Sequence, residues 1–320
     1  GVCTECGACV TNCPVDALSP DYSSGIYVPT LTGKCTACGI CYANCPRTYF
    51  YRENLLGNVR SAWKARATER LEGSQDGGVV TALLTSMLES GRIEGAVVVG
   101  RGGEKPWMPV VMVAKTTDEI AASAGSIYTH APIVEGVIMA LKEGLKKMAV
   151  VGTSCNLDAV DNMATLPSGL IKIHPGAEAI TLGLFCTKSY DYPGLVEFLK
   201  KEGIDIKDVT RFAIAGGKMT VDHKSGSKEW PVGDLEHIAS SACAYCQDMN
   251  SRNADISCGN VGSEEGWTTL LLLTERGEKV FKRALKDGLI EAEPVDEKGL
   301  RAVDNLARFK SARWYKMKPH

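Results

Sequence analysis

The sequence of 320 residues lacks several features that mark common functional classes. No run reaches the roughly 18 apolar residues that a transmembrane helix needs, and no signal peptide is visible. The formal net charge is only −2, so no overall field would attract nucleic acid or a membrane surface. The five histidines show no metal spacing, and no G-x-G-x-x-G motif follows a predicted strand, so a Rossmann nicotinamide site is unsupported. The sequence begins at Gly1 without a methionine, so we expect that the natural N-terminus lies upstream or that a segment was removed.

Cysteine is abundant, and its distribution is uneven. Eight of the thirteen cysteines lie in the first 45 residues, in the runs CTECGACVTNCP and CTACGICYANCP. Each run has the pattern C-x2-C-x2-C-x3-C-P, which is typical of bacterial ferredoxins with two 4Fe-4S clusters. A zinc site needs only two CxxC pairs, and an odd number of thiols argues against a disulfide framework. The pattern therefore predicts two clusters, one-electron transfer and a reducing, cytoplasmic compartment.

In this ferredoxin type the fourth cysteine of each run binds the cluster of the other run. The first ligand set is therefore predicted to be Cys3, Cys6, Cys9 and Cys45. The second ligand set is predicted to be Cys35, Cys38, Cys41 and Cys13. We expect a ferredoxin-like domain over residues 1–50, in which the clusters substitute for a hydrophobic core.

The remaining sequence predicts an α/β fold, because apolar strands and helices alternate along it. Residues 51–73 are polar and basic and are interpreted as a connection, and residues 74–320 as one domain. Helices are predicted in 74–91, 116–125, 132–144 and 193–203, and strands in 95–100, 109–115, 147–155 and 177–186. A hairpin is predicted around Gly216-Gly217, and a strand followed by a helix in 267–288. No structure is predicted for the basic tail after Arg308.

Five further cysteines lie in the α/β part. Cys155 and Cys186 each end a predicted strand, where the loops of α/β sheets build binding sites, and Cys243 and Cys246 form a CxxC pair. Scattered buried cysteines are the simpler interpretation, but this combination favours a third metal site. Spacing alone does not decide which four of these thiols, with Cys258 as the fifth, would be ligands.

Several segments together resemble the beta subunits of coenzyme F420 hydrogenases, formate dehydrogenases and membrane dehydrogenases of reduced F420. The same module occurs in F420-dependent sulfite reductase. The segments are GVCTECGACV, SQDGGVVTALL, GSIYTHAP, VVGTSC, GLFCTKSY, CAYCQD, ADISCGNVGS and GWTTLLLLTERG. The resemblance spans essentially the whole chain. It implies FAD, a coenzyme F420 site, a further 4Fe-4S cluster and a place in methanogenesis.

The same resemblance assigns residues to each cofactor. VVGTSC, GLFC and CAYC match its cluster positions, so the third ligand set becomes Cys155, Cys186, Cys243 and Cys246, with Cys258 left as the odd thiol. The residues assigned to FAD are Ser74, Gly77, Gly78, Thr81, Ser126, Tyr128, Thr129, Gly152, Thr153, Ser154, Gly262, Trp267 and Thr268. Two glycines before a helix suit a pyrophosphate, although they also suit an ordinary helix start. Trp267 is also readily explained as a core residue.

The coenzyme carries a phosphate and carboxylates, so its tail would be bound by Lys or Arg. Lys188 is the first candidate, because it follows the strand that ends at Cys186, and Arg252 is the second. Either could instead be an ordinary surface charge. His130 lies in the loop assigned to FAD, and packing explains it as well as chemistry does.

A deazaflavin exchanges a hydride, a 4Fe-4S cluster exchanges one electron, and FAD can do both, which implies an oxidoreductase with FAD between the other two. The implied partners are redox subunits of hydrogenase, formate dehydrogenase, heterodisulfide reductase, sulfite reductase or membrane dehydrogenase complexes. A peripheral position on a membrane complex is an alternative to a free cytoplasmic one. Two other functions stay open: an electron carrier without its own substrate, and a related reductase acting on another substrate.

Overall fold

The computed structural model describes residues 3–47, 55–71, 73–102 and 105–312. The strands are β1 (Leu18–Asp21), β2 (Val28–Leu31), β3 (Ser61–Ala67), β4 (Gly95–Arg101), β5 (Pro109–Ala114), β6 (Lys147–Thr153), β7 (Glu178–Leu184), β8 (Val209–Ala215), β9 (Lys218–His223), β10 (Gly226–Pro231), β11 (Ile256–Gly259), β12 (Thr268–Leu272) and β13 (Ile290–Pro294). The helices are α1 (Ala8–Thr11), α2 (Ile40–Ala43), α3 (Val79–Glu89), α4 (Thr117–Ala122), α5 (Ile133–Lys142), α6 (Ser154–Thr165), α7 (Leu170–Ile173), α8 (Tyr192–Lys201), α9 (Glu275–Lys286) and α10 (Glu297–Ala312).

The two cysteine runs fold in the same way. The backbone N–H of Glu5 donates to the sulfur of Cys3 at 3.4 Å. In the second run, the backbone N–H of Ala37 donates to the sulfur of Cys35 at 3.3 Å. Gly7 directly precedes α1 and Gly39 directly precedes α2, with φ values of 83° and 78°. This left-handed conformation favours glycine, which has no Cβ to clash. The antiparallel pair β1–β2 lies between the two runs.

The central sheet has eight strands in the order β13-β3-β12-β11-β7-β6-β4-β5. Its middle is parallel, with β4, β6, β7 and β11 running in one direction, and the other strands pair antiparallel. Successive residues of a strand point to opposite faces, and each face is covered by helices, α5 and α6 on one side and α3 and α9 on the other. The predicted α/β fold is therefore confirmed, as a mixed sheet.

A separate three-stranded antiparallel sheet has the order β10-β9-β8. The two-residue turn at Gly216-Gly217 joins β8 to β9, as the sequence predicted, with φ values of 57° and 77°. The helix predicted in 116–125 is present as α4, and the side chain of Thr116 caps its start by accepting the backbone N–H of Glu119. Among the described residues, no helix combines the length and the apolar character that a bilayer crossing requires.

The interpretation of 51–73 as a connection is wrong for its central part. Residues 61–67 form β3, which lies inside the large sheet between β12 and β13. Ala65 and Ala67 are buried, while Lys64 and Arg66 alternate with them and form ion pairs on the outer face. A period of two with one charged face is typical of a half-buried strand. Residues 51–54 and 72 of this segment lie outside the described residues, as do 48–50 of the predicted first domain.

The basic tail also contains structure that the sequence did not predict. The helix α10 extends to Ala312, and its Lys310 is only 1% exposed. Residues 313–320 lie outside the described part of the chain. The CxxC pair is close to a short 3-10 turn, Ser241–Tyr245, rather than to an α-helix.

Candidate functional site

The main cavity has a volume of about 580 Å³ and lies at the carboxyl ends of the parallel strands. Residues at the ends of all four strands line it: Val99 in β4, Gly152 in β6, Leu184 in β7 and Gly259 in β11. The start of α3, the loop 123–131 and the turn between β8 and β9 complete its walls. Ligands of open α/β sheets bind at this edge, so the fold places the cavity where a binding site is expected.

Most residues that the resemblance assigned to FAD line the main cavity. They are Ser74, Gly78, Thr81, Ser126, Tyr128, Thr129, Gly152, Thr153 and Thr268. Four described residues of that prediction are not in its lining: Gly77, Ser154, Gly262 and Trp267. Ser154 points elsewhere, with its hydroxyl oxygen 3.2 Å from that of Ser251. A Cβ at Gly262 would lie 2.9 Å from the carbonyl oxygen of Gly299, so this glycine allows close packing on α10.

Gly77 and Trp267 serve the sheet in this structure. A Cβ at Gly77 would lie 2.6 Å from the carbonyl oxygen of Ala65, so the glycine lets the chain approach β3 closely before α3 begins. The ring of Trp267 lies under Lys64 and Arg66, with the cationic groups 4.9 and 4.8 Å from its centre. A cation over an indole ring stabilises such a surface. These contacts explain both residues without a ligand.

The main cavity holds buried polar atoms that lack a hydrogen-bond partner among the described residues. They are Ser74 Oγ, Thr129 Oγ1, His130 Nε2 and Asn156 Oδ1. Buried polar groups in folded proteins are nearly always hydrogen-bonded. Tyr128 is already engaged, since its hydroxyl accepts the backbone N–H of Ile214 at 3.0 Å and so holds β8 against the cavity. The lining therefore fits a ligand that carries several hydrogen-bonding groups.

A second, smaller cavity adjoins the first and is termed the cysteine cavity. All four members of the third ligand set line it. Cys155 lies in the first turn of α6, directly after β6, and Cys186 follows β7. Cys243 and Cys246 come from the turn at 241–245, where Cys243 Sγ accepts the N–H of Ser189 at 3.2 Å. Three separate chain segments thus bring these four thiols together, and their role as ligands stays a prediction.

Cys258 lies apart from that group. It sits within β11, lines the main cavity and is 2% exposed. Burial raises the pKa of its thiol to about 12, so it is expected to stay protonated and unreactive. Within the described part of the chain, no three or more His, Cys, Asp or Glu side chains are grouped as a single metal ion would require.

Two cations that the sequence did not assign lie against the third ligand set. Lys310 Nζ donates to the carbonyl oxygens of Cys186 and Asp248, at 2.6 and 2.7 Å. Arg47 Nη2 donates to the carbonyl oxygen of Ala242 at 3.1 Å. Arg47 directly follows the second cysteine run, and this position is a weak sequence indication that it lies near a cluster. Lys310 has no such indication, because it lies in the tail for which no structure was predicted.

The electrostatics of this group are reciprocal. Burial opposes the charge of Lys310, but the thiols of Cys246, Cys186 and Cys243 raise its pKa above the usual value. Burial also opposes the thiolate of Cys246, yet Lys310 and Arg47 hold the pKa of this thiol below its usual value. The two cations therefore favour negative charge at Cys246, whereas burial raises the pKa of Cys243 to about 11 and that of Cys155 above its usual value.

The thiols of the first ligand set also lie close to one another, and Cys45 of the other run acts on Cys6 and Cys9; its role as a ligand stays a prediction. Burial raises the pKa of Cys6 to about 11 and of Cys9 to about 12. In both cases the nearby thiols, including that of Cys45 from the other run, contribute to the rise. In the second ligand set, Cys35 and Cys38 are exposed, and none of its four cysteines is buried.

The three ligand sets form a series from the main cavity to the surface. His130, Thr153 and Cys186 line both the main cavity and the cysteine cavity. Thr4, next to Cys3 in the sequence, and Arg47, which follows the second run, also line the cysteine cavity. The third set therefore lies between the main cavity and the first set, and the second set is the most exposed.

The two basic candidates for the coenzyme tail occupy different places. Lys188 lines the main cavity, is 8% exposed and forms an ion pair with Glu236. Arg252 is also buried, but it does not line that cavity. Its guanidinium lies 3.4 Å from the carboxylate of Asp248, and its backbone packs on Gly57. The geometry thus favours Lys188 over Arg252.

Three family models match successive parts of the chain. Residues 2–49 match a 4Fe-4S dicluster domain. Residues 62–138 match the N-terminal part, and residues 145–298 the C-terminal part, of the coenzyme F420 hydrogenase/dehydrogenase beta subunit.

Individual proteins show the same similarity. The chain is 33% identical over 262 residues to the coenzyme F420 hydrogenase subunit beta of Methanothermobacter thermautotrophicus, covering 80% of this chain and 92% of that protein. It is 32% identical to the coenzyme F420-dependent sulfite reductase of Methanocaldococcus jannaschii, over 97% of this chain but 50% of that protein. A chain in the solved structure of the F420-reducing NiFe hydrogenase complex of Methanosarcina barkeri superposes with a TM-score of 0.78 at 32% identity, covering 83% of this chain and 94% of that one.

Proposed function

The chain belongs to the coenzyme F420 hydrogenase/dehydrogenase beta subunit family, and we propose that it exchanges electrons between coenzyme F420 and a partner redox protein. In this proposal FAD binds in the main cavity, and the three ligand sets hold three 4Fe-4S clusters. A flavin exchanges a hydride with a deazaflavin and single electrons with iron–sulfur clusters. The observation that carries the proposal is the shared wall between the main cavity and the cysteine cavity.

The residues of the main cavity fit a large polar cofactor. The unpartnered oxygens of Ser74, Thr129 and Asn156 would each gain a hydrogen bond, and the gain is substantial because a buried group without a partner is costly. Apolar side chains at the strand ends, such as Val99 and Leu184, would exclude water from the ring system. Tyr128 would hold the β8–β9 hairpin in place beside the cofactor.

The order of the ligand sets supports transfer to a partner. A flavin in the main cavity would adjoin the third set, which in turn adjoins the first set through Thr4 and Arg47. The exposure of Cys35 and Cys38 supports a position of the second set nearest to solvent. We therefore propose that the partner redox protein docks beside the second set. On this view residues 1–50 are the electron-exit domain, and the catalytic domain starts at β3 rather than at Ser74.

The function is tested by reduction with defined donors. Purified without oxygen and loaded with FAD, iron and sulfide, the chain is expected to show flavin absorption that bleaches with reduced F420 but not with reduced nicotinamide. Bound flavin that reduced F420 does not bleach would favour a reductase of another substrate. A chain that binds clusters but no flavin would contradict the proposal and favour an electron carrier.

Lys188 is expected to bind the anionic tail of the coenzyme. A charge-assisted contact contributes about 1.5–3 kcal/mol, so Lys188→Ala should raise KM for F420 about tenfold or more. Because the tail is remote from the hydride, kcat should change little. Steady-state kinetics at two ionic strengths would measure this, and the wild-type KM should rise with salt.

Glu236→Gln is the matched control for Lys188→Ala. It removes the carboxylate that pairs with Lys188 and leaves the lysine in place. The side chain of Glu236 is 67% exposed, so neither variant leaves a buried carboxylate behind. KM should not rise in Glu236→Gln. An unchanged KM in Lys188→Ala would show that this lysine does not contact the coenzyme.

A further inference from the structure

Lys310 is a buried cation that hydrogen-bonds two backbone carbonyl oxygens and the side chain of Cys246. Its side chain is almost completely removed from solvent, and Nζ donates to the carbonyl oxygens of Cys186 and Asp248 at 2.6 and 2.7 Å. Cys186 belongs to the third ligand set, and Asp248 lies two residues beyond Cys246. The ammonium group is therefore fixed by two contacts within the segments that carry the ligands.

The nearby carboxylates are engaged elsewhere. The side chain of Asp248 lies 3.4 Å from Arg252, and that of Asp158 accepts from Asn253 at 2.8 Å. Among the described residues, the ion pairs include none with Lys310. A buried charge without a counter-charge is strongly destabilising. Among the described residues, the negative groups that act on this ammonium are the sulfurs of Cys246, Cys186 and Cys243.

Arg47 is a second cation at the same site, but its position is different. It comes from the segment that follows Cys45, so it lies between the first and third ligand sets. The thiols that raise the pKa of its guanidinium against burial are those of Cys246 and Cys155. Lys310 comes from α10, and within the described part of the chain its ammonium donates to the carbonyl oxygens of Cys186 and Asp248, in the segments around Cys186 and Cys246. The effect of Lys310 on one set can therefore be measured separately.

We propose that Lys310 is a positioning residue that raises the reduction potential of the third cluster and so makes it an electron acceptor beside the main cavity. The inference rests on the proposed function, because it assumes a cluster at the third ligand set. Reduction adds one electron to an anionic cluster, and no bond is broken or formed. A fixed positive charge in a site of low dielectric stabilises the more negative, reduced form. The two hydrogen bonds keep that charge at a constant distance from the sulfurs.

The test compares a neutral and a charged replacement. Lys310→Met removes the charge and keeps a long flexible side chain, whereas Lys310→Arg keeps the charge. The measurement is a dithionite titration of the protein with all clusters, followed by electron paramagnetic resonance. At a given solution potential, Lys310→Met should lower the reduced-to-oxidised ratio of the third cluster at least about tenfold. For one electron this corresponds to a midpoint ~59 mV lower. The other two clusters should keep their midpoints, and Lys310→Arg should stay close to wild type.

Iron analysis of the wild type is done first, because about eight iron atoms per chain instead of about twelve would overturn the proposed function itself. With three clusters present, an unchanged midpoint in Lys310→Met would overturn the role of Lys310, as would an equal shift in Lys310→Arg. If Lys310→Met loses iron, Lys310→Gln replaces it, since the amide can still donate to both carbonyl oxygens. Loss of the third cluster from Lys310→Met and Lys310→Gln, but not from Lys310→Arg, would support the proposal that the positive charge acts on this cluster. Loss of the cluster from all three variants would overturn the proposal and indicate that Lys310 serves packing alone.

Discussion

Replacement of Cys246 by alanine is expected to lower the iron content from about twelve to about eight atoms per chain, because a 4Fe-4S cluster needs four thiolates. Alanine is chosen because its methyl group cannot replace the sulfur as a ligand. The thiol lies in the cysteine cavity with Cys155, Cys186 and Cys243. Iron and sulfide analysis of protein purified without oxygen would measure the loss, and the two ferredoxin clusters should remain visible in the spectrum.

Cys258→Ala is the matched control for this experiment. Cys258 is more deeply buried than the cysteines of the third ligand set and lies in β11 on the wall of the main cavity. Removal of its sulfur should leave about twelve iron atoms and a modest loss of stability. Eight iron atoms in Cys258→Ala, with about twelve in Cys246→Ala, would exchange the roles of the two thiols.

The second large effect is expected at Thr81, on α3 beside the main cavity. Thr81→Phe would place a phenyl ring in a space of about 580 Å³. On the proposed function FAD fills this space, so the purified variant should contain almost no flavin. Flavin absorption of protein loaded with excess FAD would show this. The iron content should stay unchanged, because the three ligand sets lie elsewhere.

Thr85→Phe is the control, since Thr85 lies one turn further along the same helix and is not in the lining of the main cavity. The substitution is identical, so its effect on helix propensity is similar. Thr85→Phe should keep its flavin. Equal flavin loss in both variants would indicate disrupted packing of α3, and normal flavin in Thr81→Phe would place the flavin outside this cavity.

The sequence predicted best where local spacing decides the chemistry. The pattern around Cys3 and Cys35 indicated two ligand runs, and the structure brings Cys45 to the first set as the crossing rule requires. Spacing did not decide between Cys155 and Cys258, because the third set comes from elements that are distant in the chain. The family resemblance was needed there, and the cysteine cavity now supports the same four residues.

Other features were missed because they depend on tertiary contacts. Residues 61–67 looked like a connection because Lys64 and Arg66 are charged, but their partners on β13 and after β11 lie more than 190 positions away in the sequence. Lys310 had no local signal, since its importance comes from the carbonyl oxygens of Cys186 and Asp248. Two of the residues assigned to FAD, Trp267 and Gly77, do not line the main cavity. Their contacts with Lys64 and Ala65 become visible only in the assembled sheet.

The position of Cys45 beside Cys6 and Cys9 also affects how the protein is made. On the proposed assignment, neither cysteine run completes a binding site alone, because each lends its last thiolate to the other. The first run leaves the ribosome before the second does, so its three early cysteines must wait for residue 45. Iron–sulfur assembly machinery would therefore have to deliver both clusters after both runs have come together, and a chain released too early would hold neither complete site.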